Sequence, residues 1–503
     1  MGVIIRQGFK STVVSYTGVL IGALNQLVLA TEFLTPEEIG LREVLLSSAM
    51  GLTILAQLGI QYVMSRYFVY FEDDKRQHNG FLVLSLLVGL LGTLFCALLF
   101  GLFKADFLRL FRADIGIVGD FAWLIMPLTG LLVMHAILET WARLHLRIVA
   151  NAIAREVLLR VCQTTLMVAY GLGAIDFKWF VLGFVASYLL AIFFLIGYLI
   201  YDKRLYLRPS YLKIPTGLGK EMIKYAVWVM VGGAGYIVAE RIDGMMLASL
   251  VNLKQTGIYA ISFFIATLIE MPRRAIAQLS TTIVARQWKE QDFTGMQKLY
   301  QQVSLNQLLM GGLLFLLIWN SIDGLFQLMP NGHIYAQGKY VVLFIGLSRV
   351  IDMFFGINNE VILNSPFYRF SLISIVFLAV ISFLTNYLMI PAFGITGAAT
   401  GTILSMLLYN LLKSSFIRYR FQLKLVSKQS MVGMAIIAGM LAISFLLPFQ
   451  STHTWWVFGE IAMRSLLVAS LYIGLVFKLQ LSDDLQVYLL KAGELASGLF
   501  KKR

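Results

Sequence analysis

Charged residues are scarce in this chain. Only 14% of its 503 residues are Asp, Glu, Lys or Arg, whereas 59% are hydrophobic. Soluble domains carry about 25% charged and about 45–50% apolar residues, so soluble cores do not need this surplus. Cysteine is scarcer still: Cys96 and Cys162 both lie in apolar stretches and provide neither a disulfide framework nor a metal site. The composition therefore indicates a polytopic membrane protein.

Sequence motifs of catalysis are also missing. The five histidines lack the HExxH spacing of a zinc protease, and there is no GxxxxGK[ST] phosphate loop and no GxSxG nucleophile elbow. The longest predicted outer connector, 321–338, has only Asp323 and His333 as ionisable groups, which argues against a polymerase or glycosyltransferase. We expect no catalytic residue, no metal site, no cofactor and no nucleic-acid partner, and predict that the protein is not an enzyme.

Long apolar runs are what the chain does have. A membrane-spanning helix needs about 20 apolar residues, and about fourteen such stretches occur. They are predicted at 12–33, 42–64, 80–103, 116–138, 152–172, 179–201, 225–250, 257–285, 301–320, 339–360, 370–390, 397–415, 431–449 and 458–478. The expected fold is an all-α polytopic membrane protein with about 14 transmembrane helices.

The distribution of the basic residues between the connectors predicts the membrane topology. About two thirds of the Lys and Arg residues fall on the side of the membrane that both termini share, and this side is cytoplasmic by the positive-inside rule. The opposite connectors hold Lys104, Arg109, Arg112, Lys178, Lys254 and Lys339. We therefore expect a multi-pass protein of the cell inner (cytoplasmic) membrane with both termini in the cytoplasm.

A weak internal repeat organises the spans into lobes. An offset of 217 residues lays Gly18 on Gly235 and Gly40 on Gly257. With six spans in each half, the repeats are parallel, and two such lobes predict a transporter with a central cavity. The predicted segments are an N-terminal lobe at 1–201, a cytoplasmic linker at 202–224, a C-terminal lobe at 225–420, two extra helices at 421–480 and an amphipathic cytoplasmic tail at 481–503.

Several segments also carry a family resemblance. GFKST at 8–12, LTPEEIGL at 34–41, TGIYA at 256–260 and PAFGITGAA at 391–399 resemble segments of the bacterial polysaccharide flippases. These belong to the multidrug/oligosaccharidyl-lipid/polysaccharide exporter superfamily. The resemblance covers roughly residues 1–420, and its motifs identify the superfamily better than the substrate.

The resemblance implies a flippase for a polyprenyl-pyrophosphate-linked oligosaccharide, working by alternating access in cell-surface polysaccharide (O-antigen type) biosynthesis. The lipid-linked oligosaccharide, membrane lipids and polysaccharide-assembly proteins are the expected partners, and a monomer is expected. The two extra helices have no counterpart in the twelve-helix drug exporters and favour the lipid-handling branches. A lipid II flippase of peptidoglycan synthesis and a cation-coupled multidrug antiporter remain the alternatives.

Two arginines in the eighth span are the candidates for phosphate binding. Pro272 can kink the helix beside Arg273 and Arg274, and each guanidinium presents a planar fork that can hold two phosphate oxygens. The alternative is that both side chains extend to the headgroups of the inner leaflet.

Other polar residues of the spans are candidates for ion coupling or for the cavity. Glu240 and Asp243 share one helix face at three-residue spacing and are predicted to bind a coupling cation or the sugar, the alternative being an interhelical ion pair. Candidate cavity-lining residues are Asn25, Gln26, Gln57 and Arg241. A small-residue face at Gly18 and Gly22 favours tight packing instead for the first two. Arg349, Asp352 and Glu360 are predicted to form a charge network.

Overall fold

The protein is described from a computed structural model that covers residues 2–73, 76–208, 214, 217–446, 449 and 454–482; the side chains of 2–12, 231–234, 236–239, 274, 275, 278 and 279 lie outside the description. The described residues are almost all helical and contain no strand. The chain folds into two compact units, Met1–Ala260 and Ile261–Arg503. The lobe boundaries predicted above stay predictions.

The helices of the first unit are, in chain order, α1 (Gly2–Leu24), α2 (Ala30–Phe33), α3 (Pro36–Ala56), α4 (Ile60–Tyr67), α5 (Phe81–Leu110), α6 (Ile115–Phe121), α7 (Ile125–Leu144), α8 (Ile148–Ala152), α9 (Leu159–Gly171), α10 (Phe177–Tyr201), α11 (Leu218–Leu250) and the start of α12 (Leu253–Thr267). Two π-helical turns, Asn25–Leu29 and Ile153–Leu158, join α1 to α2 and α8 to α9. Helix α11 begins inside the predicted linker, of which residues 209–213, 215 and 216 lie outside the description.

The second unit holds the end of α12 and then α13 (Met271–Glu290), α14 (Phe293–Leu328), α15 (Gly332–Tyr335), α16 (Lys339–Phe354), α17 (Asn358–Leu363), α18 (Arg369–Phe421), α19 (Lys428–Leu446) and α20 (Thr454–Lys478). The predicted amphipathic tail lies outside the described residues from 483 onward.

The described helices fit the predicted all-α membrane fold. Ten of them are long and apolar enough to cross a membrane. One of these, α18, is a hairpin of two arms, because Gly394 has φ 56° and ψ −130°. The hydroxyl of Thr385 in the first arm donates to the carbonyl of Gly401 in the second at 3.2 Å. The turn expected between the predicted spans at 370–390 and 397–415 is thus confirmed. Helices α8–α9, α11 and α12–α13 cover the remaining predicted spans.

The second predicted span is interrupted. Helix α3 begins with a capping box, in which the Thr35 hydroxyl accepts from the Glu38 amide and the Glu38 carboxylate accepts from the Thr35 amide. It ends at Ala56, and α4 starts only at Ile60, because Leu58 (φ 48°) and Gly59 (φ 72°) adopt left-handed backbone conformations. The continuous helix predicted at 42–64 was therefore wrong.

The eighth span has a comparable interruption. A 3-10 turn over Leu268–Glu270 separates α12 from α13, and Pro272 lies in the first turn of α13. Proline is tolerated there because the first amides of a helix have no intrahelical partner. The break predicted from Pro272 is confirmed.

Gly18 and Gly22 allow α1 to approach a neighbouring helix of the first unit closely. A Cβ added at Gly18 would lie 2.6 Å from the Cβ of Glu156, and one at Gly22 would lie 1.8 Å from Nη1 of Arg160. The face predicted to pack tightly does so, against the helix that continues into α9.

The repeat-related pair Gly40 and Gly257 brings the starts of α3 and α12 together. A Cβ at Gly40 would lie 2.1 Å from the Leu253 carbonyl oxygen, and one at Gly257 would lie 1.9 Å from that of Pro36. Real Cβ atoms do not approach backbone oxygens this closely. A side chain at either of these two positions would therefore clash with the backbone at the start of the other helix.

We predict that Gly40→Ala lowers the thermal unfolding midpoint of the purified protein in detergent. Relieving the clash requires the starts of α3 and α12 to separate, and overpacking of this kind costs about 1–3 kcal/mol. The matched control is Gly101→Ala in α5, where an added Cβ meets nothing within 4 Å. Equal midpoints for the two variants would contradict the close approach.

Candidate functional site

Six charged side chains meet inside the second unit and form what we call the charge cluster: Glu270, Arg273, Arg349, Asp352, Glu360 and Lys413. Arg273 pairs with Asp352 and, at 3.4 Å, with Glu270. Glu270 holds Arg349 at 3.0 Å through its other oxygen. The three acidic and three basic side chains have a formal net charge of zero. Pairing opposite charges reduces the free-energy cost of removing them from water.

Helix geometry places these groups on common faces. Glu270 and Arg273 are three residues apart across the 3-10 turn that leads into α13, and Arg349 and Asp352 have the same spacing on α16. Side chains three residues apart lie on the same face of a helix. The face with Glu270 and Arg273 therefore lies opposite the face with Arg349 and Asp352. Of the predicted network of Arg349, Asp352 and Glu360, the first two are linked to each other through Glu270 and Arg273.

Asp352 has a second anchor. Its Oδ1 accepts a hydrogen bond from the side-chain amide of Asn410 at 2.9 Å, while its Oδ2 faces Arg273. Asn410 comes from the second arm of α18 and is itself buried. The carboxylate, which belongs to α16, is therefore held from α13 and α18 at once.

Lys413 is the most deeply buried cation of the cluster, with 2% of its surface exposed. Its Nζ donates to the Tyr409 hydroxyl at 2.7 Å and to Oδ1 of Asn359 at 3.1 Å. Among the described residues, no carboxylate lies within ion-pair distance of this ammonium, and Oε2 of Glu360 is buried without a hydrogen-bond partner. The cluster thus contains one acid and one base that are not paired with each other.

The sequence interpretation did not single out Lys413, Asn410 or Tyr409. All three fall at the end of the twelfth predicted span, where a lysine is normally assigned to the adjoining loop. Their spacing was nevertheless informative, because positions 409, 410 and 413 share one helix face. A polar stripe on an otherwise apolar helix indicates a buried polar partner.

Arg274, the second candidate for phosphate binding, has a side chain outside the description. Arg273 is half-buried and paired with carboxylates. The phosphate role of both residues stays a prediction.

The first unit contains a second, smaller set of polar contacts. Arg241 pairs with Glu43 at 3.1 Å, and Glu43 also accepts from the Ser47 hydroxyl at 2.9 Å. Asp243 is buried and accepts a hydrogen bond from the Tyr259 hydroxyl at 3.0 Å, whereas Glu240 is exposed. Their predicted role in ion coupling stays a prediction.

The remaining cavity candidates have local partners in the first unit. The Asn25 amide donates to the Arg160 carbonyl at 2.9 Å and accepts from the Thr164 hydroxyl at 2.7 Å. Gln26 accepts from Arg42 at 2.6 Å. Gln57 is half-buried at the break that follows α3.

Solved structures share this fold. One is a multidrug resistance MATE family transporter of the MOP superfamily in an inward-facing conformation (TM-score 0.65, 12% identity, 84% of this chain and 96% of that chain). Another is the lipid II flippase MurJ in an inward closed conformation (TM-score 0.68, 10% identity, 93% and 99%). A third is a MOP superfamily transporter from Pyrococcus furiosus (TM-score 0.57, 14% identity, 84% and 95%). The chain has the fold of MOP-superfamily transporters.

Neither a family model nor a curated protein sequence matches the chain. The MOP fold establishes a multi-pass membrane protein, and the three solved structures that share it are named as transporters or a flippase.

We predict that the ion pair of Arg273 with Asp352 stabilises the second unit. Asp352→Ala leaves a largely buried guanidinium short of one partner, and breaking a buried pair costs about 3–5 kcal/mol. The variant should unfold at a lower temperature in detergent, and adding Arg273→Ala should restore part of the loss.

The control is the exposed pair of Arg286 with Glu290 on α13, at 2.8 Å. Exposed pairs gain little because water screens them, so the same double-mutant cycle there should give no coupling. Strictly additive effects at 273 and 352 would mean that their pairing contributes nothing to stability.

Proposed function

We propose that this chain is a flippase that moves a polyprenyl-pyrophosphate-linked oligosaccharide across the cytoplasmic membrane, from the cytoplasmic to the outer face, by alternating access. In this proposal it serves cell-surface polysaccharide biosynthesis of the O-antigen type. Both termini lie in the cytoplasm, and the carrier acts without a nucleotide, a metal or a catalytic residue.

The observation that carries the proposal is the way Arg273 is held. Its guanidinium is shared by two carboxylates, each of which has another partner: Arg349 for Glu270 and Asn410 for Asp352. If Arg273 turned toward a substrate, Glu270 would keep Arg349 and Asp352 would keep the Asn410 amide, and the anionic substrate would replace the two carboxylates as the partner of the guanidinium. A guanidinium that is charged and exchangeable in this way suits a diphosphate, whose oxygens match its planar fork.

The extra C-terminal helices support a lipid-handling transporter. The lipid II flippase structure aligns with 93% of the chain, against 84% for the inward-facing multidrug transporter. The larger share agrees with a chain that continues beyond the twelve helices of a drug exporter. The choice of a polysaccharide precursor over lipid II rests on the resemblance of the segments at 8–12, 34–41 and 391–399.

A cation-coupled antiporter is the second candidate, and Asp243 is the observation that favours it. A buried acid within a span is expensive to keep, and the carboxylate of Asp243, which accepts a hydrogen bond from the Tyr259 hydroxyl, has the chemistry to bind a cation. The arginines of the charge cluster favour the flippase, because their planar guanidinium groups match the oxygens of a phosphate.

We predict that Arg273→Ala combined with Arg274→Ala abolishes flipping of lipid-linked oligosaccharide in proteoliposomes. A hydrogen bond between charged groups contributes about 1.5–3 kcal/mol, or roughly 10- to 150-fold in affinity. Lysine at both positions should restore little transport because it lacks the planar fork. The readout is protection of a labelled precursor from an impermeant enzyme.

Arg286→Ala is the matched control, since it removes an exposed arginine from the same helix. The amount of protein in the membrane is measured for every variant. The lysine variant keeps both positive charges, so it separates the effect of losing charge from the effect of losing folded protein. Full transport by the double alanine variant would leave only a structural or headgroup-anchoring role for these arginines.

We predict that membrane potential drives the flipping cycle. The charge cluster is balanced, Arg274 adds one positive charge if it binds phosphate as predicted, and a pyrophosphate diester adds two negative charges. The loaded site then carries about one net negative charge, which gains about 2.3 kcal/mol per 100 mV on moving outward from a negative interior. The empty site is positive and is drawn back inward, so both steps respond to voltage in the productive direction.

A K⁺ diffusion potential set by valinomycin should therefore accelerate flipping without any proton or Na⁺ gradient, and valinomycin at equal K⁺ is the control. Transport that ignores voltage but requires an ion gradient would contradict this charge balance. The antiporter would then be favoured, and Asp243→Asn should remove the ion dependence.

A further inference from the structure

A polar cavity of about 850 Å³ lies within the second unit, away from the charge cluster. It opens where the C-terminal end of α14 meets α15, α16, α19 and α20, and its lining includes Trp319, Asn320, Asp323 and Gln327. Ligand pockets usually have volumes of about 300–1,000 Å³. The cavity is therefore large enough for a ligand of a few sugar rings.

The two helices beyond residue 420 complete this cavity. The indole of Trp319 donates to the Ser444 hydroxyl of α19 at 2.9 Å. A Cβ at Gly324 would lie 2.9 Å from the Ile461 side chain of α20, so the glycine allows α20 to approach α14. A chain that ended after α18 would lack one wall.

The charges around the cavity neutralise one another. Lys339 pairs with Asp323 at 2.8 Å, and Arg464 pairs with Glu460 at 2.6 Å. These pairs leave no excess of positive charge in the cavity to favour an anion. A neutral ligand with many hydroxyl groups needs no such excess.

The lining suits a carbohydrate. Gln327 and His333 are exposed, and Asn320 gives one amide hydrogen to the Leu316 carbonyl at 2.8 Å. Side-chain amides both donate and accept, as sugar hydroxyls do. The Trp319 and Phe445 rings lie with centroids 5.3 Å apart, and Phe445 is 55% exposed. Aromatic surface of this kind can cover the C–H face of a sugar ring.

We propose that this cavity binds the oligosaccharide portion of the lipid-linked substrate on the outer side of the membrane. The inference rests on the proposed function and on the predicted outer location of the connector at 321–338. Since α19 and α20 build the cavity, the binding of the saccharide is the task of the two extra helices. The sugar is retained there while its pyrophosphate leaves the charge cluster.

The first test measures protection of a single cysteine. His333→Cys is placed in the full-length protein after Cys96→Ala and Cys162→Ala, and its reaction with an impermeant maleimide is followed on intact cells and in purified protein. The probe is the oligosaccharide that mild acid releases from the host's own lipid-linked pool. We expect labelling from outside, slowed by this oligosaccharide but not by inorganic pyrophosphate or by maltotriose.

The second test removes one amide from the cavity. Gln327→Leu should weaken protection by the oligosaccharide by about 2- to 12-fold, as expected for one neutral hydrogen bond. The matched control is Gln302→Leu, the same change at an exposed position on α14, 25 residues toward the other end of that helix. The control should leave protection unchanged.

The outcomes separate this inference from the proposed function. Flipping that proceeds in proteoliposomes while the oligosaccharide gives no protection overturns the cavity and leaves the flippase standing. Protection without any flipping by the wild-type protein supports the cavity and overturns the flippase. Protection by pyrophosphate, or an introduced thiol at position 333 that is closed to maleimide from outside, also overturns the inference.

Discussion

Hydrocarbon offers charged side chains no water, so each one kept within a span needs a partner from the protein itself. This constraint organises the second unit. Arg273, Arg349 and Asp352 are tied through Glu270 and Asn410 into one balanced set that joins α13, α16 and α18. The apolar surfaces around the set favour insertion of the helices into a membrane. The charges determine which of these helices pack next to each other.

The two interrupted helices show the same constraint acting on the backbone. Breaking a helix inside a membrane frees amides and carbonyls that must be satisfied by neighbours. The chain breaks one helix with the left-handed Leu58 and Gly59 and the other with a 3-10 turn before Pro272. Both occur in the second helix of a predicted repeat, and the second break brings Glu270 and Arg273 onto one face.

In the proposed function, the charge cluster binds the pyrophosphate of the substrate and the polar cavity binds its saccharide. A pyrophosphate needs exchangeable cations, and Arg273 is held by acids that have other partners. A saccharide needs neutral donors and acceptors with aromatic surface, and these lie around Trp319 and Gln327. This division would give α19 and α20 a function in the proposed flippase that a twelve-helix drug exporter does not require.

Composition and periodicity determined the class of the protein, the approximate spans, the turn at Gly394, the break at Pro272 and the tight face at Gly18 and Gly22. Each of these depends on residues close together in the chain, where helical spacing fixes which side chains share a face. Spacing can indicate that a helix face has a polar partner, but it does not identify the partner on another helix. The sequence analysis therefore missed the bond of Lys413 to Asn359. It also predicted one span where the structure has the separate helices α3 and α4.

Only the tertiary structure decided that Asp352 faces Arg273 and that α14, α19 and α20 enclose a cavity. Those arrangements arise when helices distant in sequence pack together. The cost of burying a charge or an amide without a partner then favours packing that brings polar partners within reach.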